Sequence, residues 1–118
     1  VFGDGSQTRD FTFVDDIARG TILSARPVGY EIVNLGGGKK PIELIQLIRM
    51  MEERLGKAAE ITWQPAHEAD MKDTSANIEK AAALLEWEPE VDLEEGLDRT
   101  IAWYRENRDW VSQVDVQL

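Results

Sequence analysis

Residues 3–11, Gly-Asp-Gly-Ser-Gln-Thr-Arg-Asp-Phe, form a run of small polar side chains that delivers one arginine, Arg9. A guanidinium offers a planar fork of donors suited to the oxygens of a phosphate. The overall charge sharpens this reading. Thirteen Lys and Arg against twenty-three Asp and Glu leave a formal charge of −10, so a phosphorylated ligand would need a local cation. Spacing alone equally suits a solvated loop arginine paired with Asp10 or Asp4, since surface ion pairs are ordinary. A second polar stretch carries His67-Glu68-Ala69-Asp70. The Asp70 carboxylate could accept hydrogen bonds from a ribose diol, and a protonated His67 could touch phosphate. A solvated acid and a surface histidine are the plainer reading of the same residues.

Other chemistry is excluded by what the chain lacks. Gly36-Gly37-Gly38 does not have the Gly-x-Gly-x-x-Gly spacing that brings backbone against a pyrophosphate at a helix start, and Lys39-Lys40-Pro41-Ile42 after it is not a P-loop ending. It reads as a flexible turn. No Tyr-x-x-x-Lys pair exists, because Asn34 follows Tyr30 at that spacing and Arg108 follows Tyr104. No catalytic residue is therefore assigned. With no cysteine and a single histidine there is no disulfide framework, thiolate centre or multi-histidine metal site. The negative charge argues against nucleic acid and anionic membranes as partners. No apolar run approaches the ~20 residues that span a bilayer, and no signal peptide is visible, so a cytoplasmic location is expected.

The elements that must position these residues follow from periodicity. At 118 residues with 42% hydrophobic side chains, one compact domain is expected and two are not. Val1-Phe2 reads as a strand end before a Gly-Asp-Gly turn, and Arg9 to Val14 as a short strand of aromatic and β-branched residues. Asp15-Asp16 should cap a helix running to about Arg26. Tyr30 to Leu35 and Glu60 to Gln64 are further strand candidates, with a helix from Pro41 to Leu55 between them, closed by Gly56. Helices are also expected over 76–86 and from Leu93 to about Val111, leaving 112–118 as a tail that frays. Trp87 and Trp103 fit core positions. The outcome is an α/β fold with few short strands and about four helices. Opening at Val1 directly before a turn, the sequence reads as part of something longer.

At this point the whole chain resembles a family: the C-terminal, substrate-binding part of NAD-dependent nucleotide-sugar epimerases and dehydratases, the extended short-chain dehydrogenase/reductases. The resemblance is carried by Val1 to Asp16, by Tyr30 to Gly38, and by His67 to Met71. Lys80-Ala81, Leu84 to Pro89, Leu93 to Leu97 and Trp103-Tyr104 extend it. It lies nearest the UDP-glucose and UDP-glucuronate 4-epimerase branch, with UDP-glucuronate decarboxylases and nucleotide-sugar 4,6-dehydratases as same-family alternatives. An interaction module without enzymatic activity is the alternative from another class.

The resemblance implies that residues 1–118 are a small C-terminal domain that lacks the Rossmann domain and binds the nucleotide diphosphate of a UDP-sugar. The N-terminal Rossmann domain holding NAD, the catalytic pair and the contacts of a homodimer would lie elsewhere. This chain would bind no cofactor and, alone, would be inactive. By position, Arg9 matches an arginine on the diphosphate, Phe2 lies on the segment contacting uracil, and Asp70 matches an aspartate on the ribose hydroxyls. His67 stands where UDP-galactose 4-epimerases carry a second phosphate-binding arginine. Phe11 replaces a tyrosine of some relatives, and Asn77 is given no role. Arg9 and Asp70 are expected on facing walls of one cleft.

Overall fold

The computed structural model describes residues 1–27, 29–38, 41–67 and 70–114. In chain order these form β1 (Thr8–Arg9), α1 (Val14–Leu23), β2 (Ile42–Glu43), α2 (Leu44–Leu55), α3 (Glu79–Leu85), α4 (Leu93–Glu106) and α5 (Arg108–Val111). The α/β class stands, with fewer paired strand residues than the β-branched runs suggest. β1 and β2 form a two-stranded antiparallel sheet in which Thr8 faces Glu43 and Arg9 faces Ile42. Of the strand expected over Arg9 to Val14 only Arg9 is in this ladder. The stretch 30–35 joins no ladder among the described residues, and 60–64 contributes one parallel bridge, Gln64 to Phe2. Propensity describes a side chain that fits a pleated surface, but a strand also needs a neighbour to take its backbone hydrogen bonds.

Helix boundaries moved for local reasons. Pro41 does not open α2, because Ile42–Glu43 first pair with β1 and Leu44 and Ile45 then donate backbone N–H groups to the Gln7 and Gly5 carbonyls at 3.0 Å each. α2 does end on Gly56, in the left-handed conformation that glycine tolerates. Asp15 and Asp16 are not caps: α1 starts on Phe13 without a side-chain cap, and both acids lie in its first turn. α4 is capped by the Asp92 carboxylate, which accepts from the Glu95 N–H at 2.9 Å. Asn107 interrupts the final helix, and of the tail expected over 112–118, residues 115–118 lie outside the described residues. The start of α3 gives Asn77 a part that the sequence did not suggest, since its side-chain oxygen accepts the Glu79 N–H at 3.0 Å.

Packing centres on Trp87. Ala81, Leu85 and Trp87 are the buried hydrophobic residues among those described, with Leu23, Val33, Leu35, Ile78 and Leu84 against them. Gly20 lets α1 approach, because a Cβ there would fall 2.7 Å from Leu35 and 2.9 Å from the Trp87 indole nitrogen. Trp103, expected in the core, is half exposed and meets Trp110 edge-on. This core is small for the length. The radius of gyration is 16.7 Å, against about 13–14 Å for a compact domain of this size. Among the described residues, no helix is long and apolar enough to cross a membrane.

Candidate functional site

Thr8–Arg9 lies between two neighbours. On one side is β2; on the other, residues 72–74 run parallel, with the Thr8 N–H donating to the Lys72 carbonyl at 2.8 Å and the Thr74 N–H to the Thr8 carbonyl at 3.3 Å. The Thr8 hydroxyl closes this side by donating to the Asp73 carboxylate at 2.8 Å. Just before β1, the turn needs glycine at position 5, where φ is +80° and a Cβ would press on Ile45 at 3.2 Å. A side chain at position 9 is thus held by backbone from both flanks.

The four residues singled out in the sequence fall into two contacting pairs. Arg9 donates through one terminal nitrogen to the Asp70 carboxylate, and through the other to the Thr8 carbonyl at 2.7 Å and the Lys72 carbonyl at 3.4 Å. The rings of Phe2 and His67 meet edge to face with centroids 6.3 Å apart. Backbone pairing links them: the Gly3 N–H donates to the Gln64 carbonyl at 2.9 Å, and the Asp70 N–H to the His67 carbonyl at 2.9 Å. Segments 1–9, 62–67 and 70–74 are thus joined by backbone pairing, and they bring Phe2 against His67 and Arg9 against Asp70.

Two expectations change here. Arg9 and Asp70 do not face one another across a cleft; they touch. Nor, among the described residues, does Arg9 pair with Asp4 or Asp10. Hydrogen bonds from Ser6 engage Asp4 and hold its carboxyl below the usual carboxylate range, while Asp10 accepts the N–H groups of Gly38 at 2.7 Å and Ala76 at 3.2 Å. The Arg9 and Asp70 side chains are 27% and 35% exposed, so their pairing contributes no more than about 1 kcal/mol and is easily parted. The guanidinium also keeps its Nε–H without an acceptor among the described residues. It can therefore offer donors to an incoming anion.

Asp10, which the sequence offers only as a partner for Arg9, serves another purpose. Its signal was the glycine triplet it serves. A Cβ on Gly37 would lie 2.1 Å from the Asp10 carboxylate, one on Gly36 2.4 Å from Ala76, and one on Gly38 2.5 Å from Ile78. The triplet is a packed junction rather than a flexible turn. This also tests whether the chain could hold a dinucleotide. A pyrophosphate-binding glycine turn needs open backbone at a helix start, whereas this one is filled, faces a carboxylate and precedes α2 by several residues. The triplet does not fit the pyrophosphate of NAD. Two hollows of about 450 and 480 Å³ reach Asp10, and neither is lined by Phe2, Arg9, His67 or Asp70. Among the described residues, no three His, Asp or Glu side chains gather to hold a metal ion.

Residues 1–36 match the family model described as NAD dependent epimerase/dehydratase family. The chain is 53% identical over 116 residues to a UDP-glucuronate 4-epimerase of Thermodesulfobacterium geofontis, an alignment covering 98% of this chain and 36% of that protein. Among solved structures, an epimerase from Methanothermobacter thermautotrophicus superposes with a TM-score of 0.86 at 36% identity, covering 96% of this chain and 34% of its own. The UDP-glucuronic acid 4-epimerase of Bacillus cereus in complex with UDP-glucuronic acid and NAD gives 0.80 at 36% identity, covering 90% and 34%. The chain thus spans about a third of the length of the relatives it matches.

Proposed function

Given that the chain belongs to the NAD-dependent epimerase/dehydratase family, we propose that it is the substrate clamp of a UDP-sugar 4-epimerase, with UDP-glucuronate as the favoured substrate. In this reading Arg9 binds the diphosphate, Asp70 the ribose hydroxyls, Phe2 the uracil side and His67 a second phosphate contact. The observation that carries it is the meeting of Arg9 and Asp70, 61 positions apart in sequence, on a shared surface with Phe2 and His67. The relationship to a UDP-glucuronate 4-epimerase and to a structure holding UDP-glucuronic acid and NAD supports the choice of ligand.

The contribution of these residues is positional. Holding the non-reacting nucleotide places the sugar, and binding energy from that remote handle is available to orient the reacting carbon. NAD, which supplies hydride transfer in such enzymes, would be held by a Rossmann domain in the remaining length. The filled glycine junction and the absence of a Tyr-x-x-x-Lys pair support that division. The homodimer expected for the whole protein is assigned to that part too.

Calorimetric titration of UDP into the full-length protein tests the clamp. Arg9→Ala should weaken binding about ten- to a hundredfold, the loss of charge-assisted hydrogen bonds. Unchanged affinity would remove Arg9 from the site.

A further inference from the structure

The cation of the proposed clamp is already paired. One terminal nitrogen of Arg9 is committed to Asp70 and the other to backbone carbonyls. An anion that comes to this guanidinium therefore meets a carboxylate at contact range. The backbone on both sides of the pair is anchored, Asp70 through its N–H to the His67 carbonyl and the strand carrying Arg9 from both flanks. Asp73 adds a second negative group on the same segment, bound to Thr8, with Lys72 between the two acids in sequence. Both side chains of the pair are partly open to solvent, so a ligand reaches them without unfolding anything.

Two kinds of ligand would fare differently at this pair. Free phosphate or pyrophosphate brings only negative charge, so it takes donors from Arg9 while lying against Asp70, and like charges so placed are costly. A phosphate ester with vicinal hydroxyls nearby brings the anion for Arg9 and O–H donors for the carboxylate that Arg9 releases. Each charged group exchanges one partner for another, and neither is left unpaired.

Resting on the clamp reading, we propose that Asp70 is a specificity-determining residue that acts by masking Arg9. Through its ion pair it turns away free phosphate and pyrophosphate, and it yields only to an anion delivered together with a diol.

The test is titration of the full-length protein with UDP and, separately, with inorganic pyrophosphate, in the wild type and in Asp70→Asn and Asp70→Ser. Asparagine keeps the size of the side chain and removes its charge; serine also removes the reach. Wild type should prefer UDP. Both variants should bind pyrophosphate about tenfold more tightly than wild type, so that the preference for UDP falls by at least about that factor. If Asp70 only props Arg9 in place, pyrophosphate binding would weaken instead, which overturns the proposal. Unchanged pyrophosphate affinity in both variants, with wild type still binding UDP, also overturns it and leaves the clamp reading standing. A wild type that binds UDP no better than pyrophosphate overturns both.

Discussion

Two Arg–Asp pairs in this molecule use the same chemistry in opposite settings. Asp16 is 2% exposed, and its carboxylate accepts from Arg19 at 2.9 Å and from the Glu90 and Val91 N–H groups at 3.0 Å each. Arg19 goes on to the Glu88 carbonyl and lies over the Trp87 ring, whose indole N–H donates to the Asp16 carbonyl at 2.9 Å. The Asp16 carboxylate is filled by protein donors while Arg19 keeps one edge toward solvent, so the acid serves as a structural clip that ties α1 to the turn before α4. Asp70, by contrast, accepts from Arg9 at a surface that water and solutes reach. A saturated buried carboxylate holds a fold together, whereas an exposed one paired with a cation that has spare donors can exchange partners.

The largest effect expected from breaking this contrast is at the sealed pair. Asp16→Ala strips two backbone N–H groups and Arg19 of their acceptor and should cost about 2–3 kcal/mol in urea unfolding of the full-length protein. Acid should act through the same carboxylate. Burial alone would push the Asp16 carboxyl up, and this is the strongest single influence; the Val91 and Glu90 N–H groups and Arg19 together outweigh it and hold the carboxyl below its usual range. A depressed folded-state value means that this stabilisation is present above about pH 4, the unfolded range, and is lost as pH falls through the folded value. Unfolding followed from pH 6 downward should show that loss in wild type and a flatter profile in Asp16→Asn.

The glycine junction comes next. Gly37→Ala should cost about 1–3 kcal/mol, because the new methyl would meet Asp10 at 2.1 Å and the Phe11 carbonyl at 2.8 Å. Nuclear magnetic resonance of the Ala76 amide would report whether Asp10 has been displaced. The smallest effect on stability belongs to the open pair. Arg9→Ala should change the unfolding free energy by less than about 1 kcal/mol, although the same substitution is expected to impair UDP binding. A large loss of stability in that variant would erase the distinction between the two pairs.

The Asp16 clip also shows why part of the fold was hidden in the sequence. An acid just after Phe13-Val14 looks like a cap, since local rules see only the residues beside it; its acceptors are used instead by N–H groups 74 and 75 positions away. The unpaired stretch 30–35 makes the same point for strands. Its Val33 and Leu35 pack on the core as alternation suggests, yet no ladder forms among the described residues. Helices were more legible, because their hydrogen bonds close within a few residues and their stops, such as Gly56, are local.

Sequence by itself determined the helical stripes, the loop that carries Arg9, the lack of a nucleotide-binding glycine turn and the likeness to the epimerase family. All of these are patterns over neighbouring residues or ordered matches along the chain. Only the tertiary structure decided that Arg9 pairs with Asp70 rather than with Asp4 or Asp10, that Asp10 is spent on the glycine junction, and that Asp16 locks α1 in place. Those outcomes depend on which distant backbone groups arrive within hydrogen-bonding range, and arrival is set by the packing of whole elements, not by spacing along the chain.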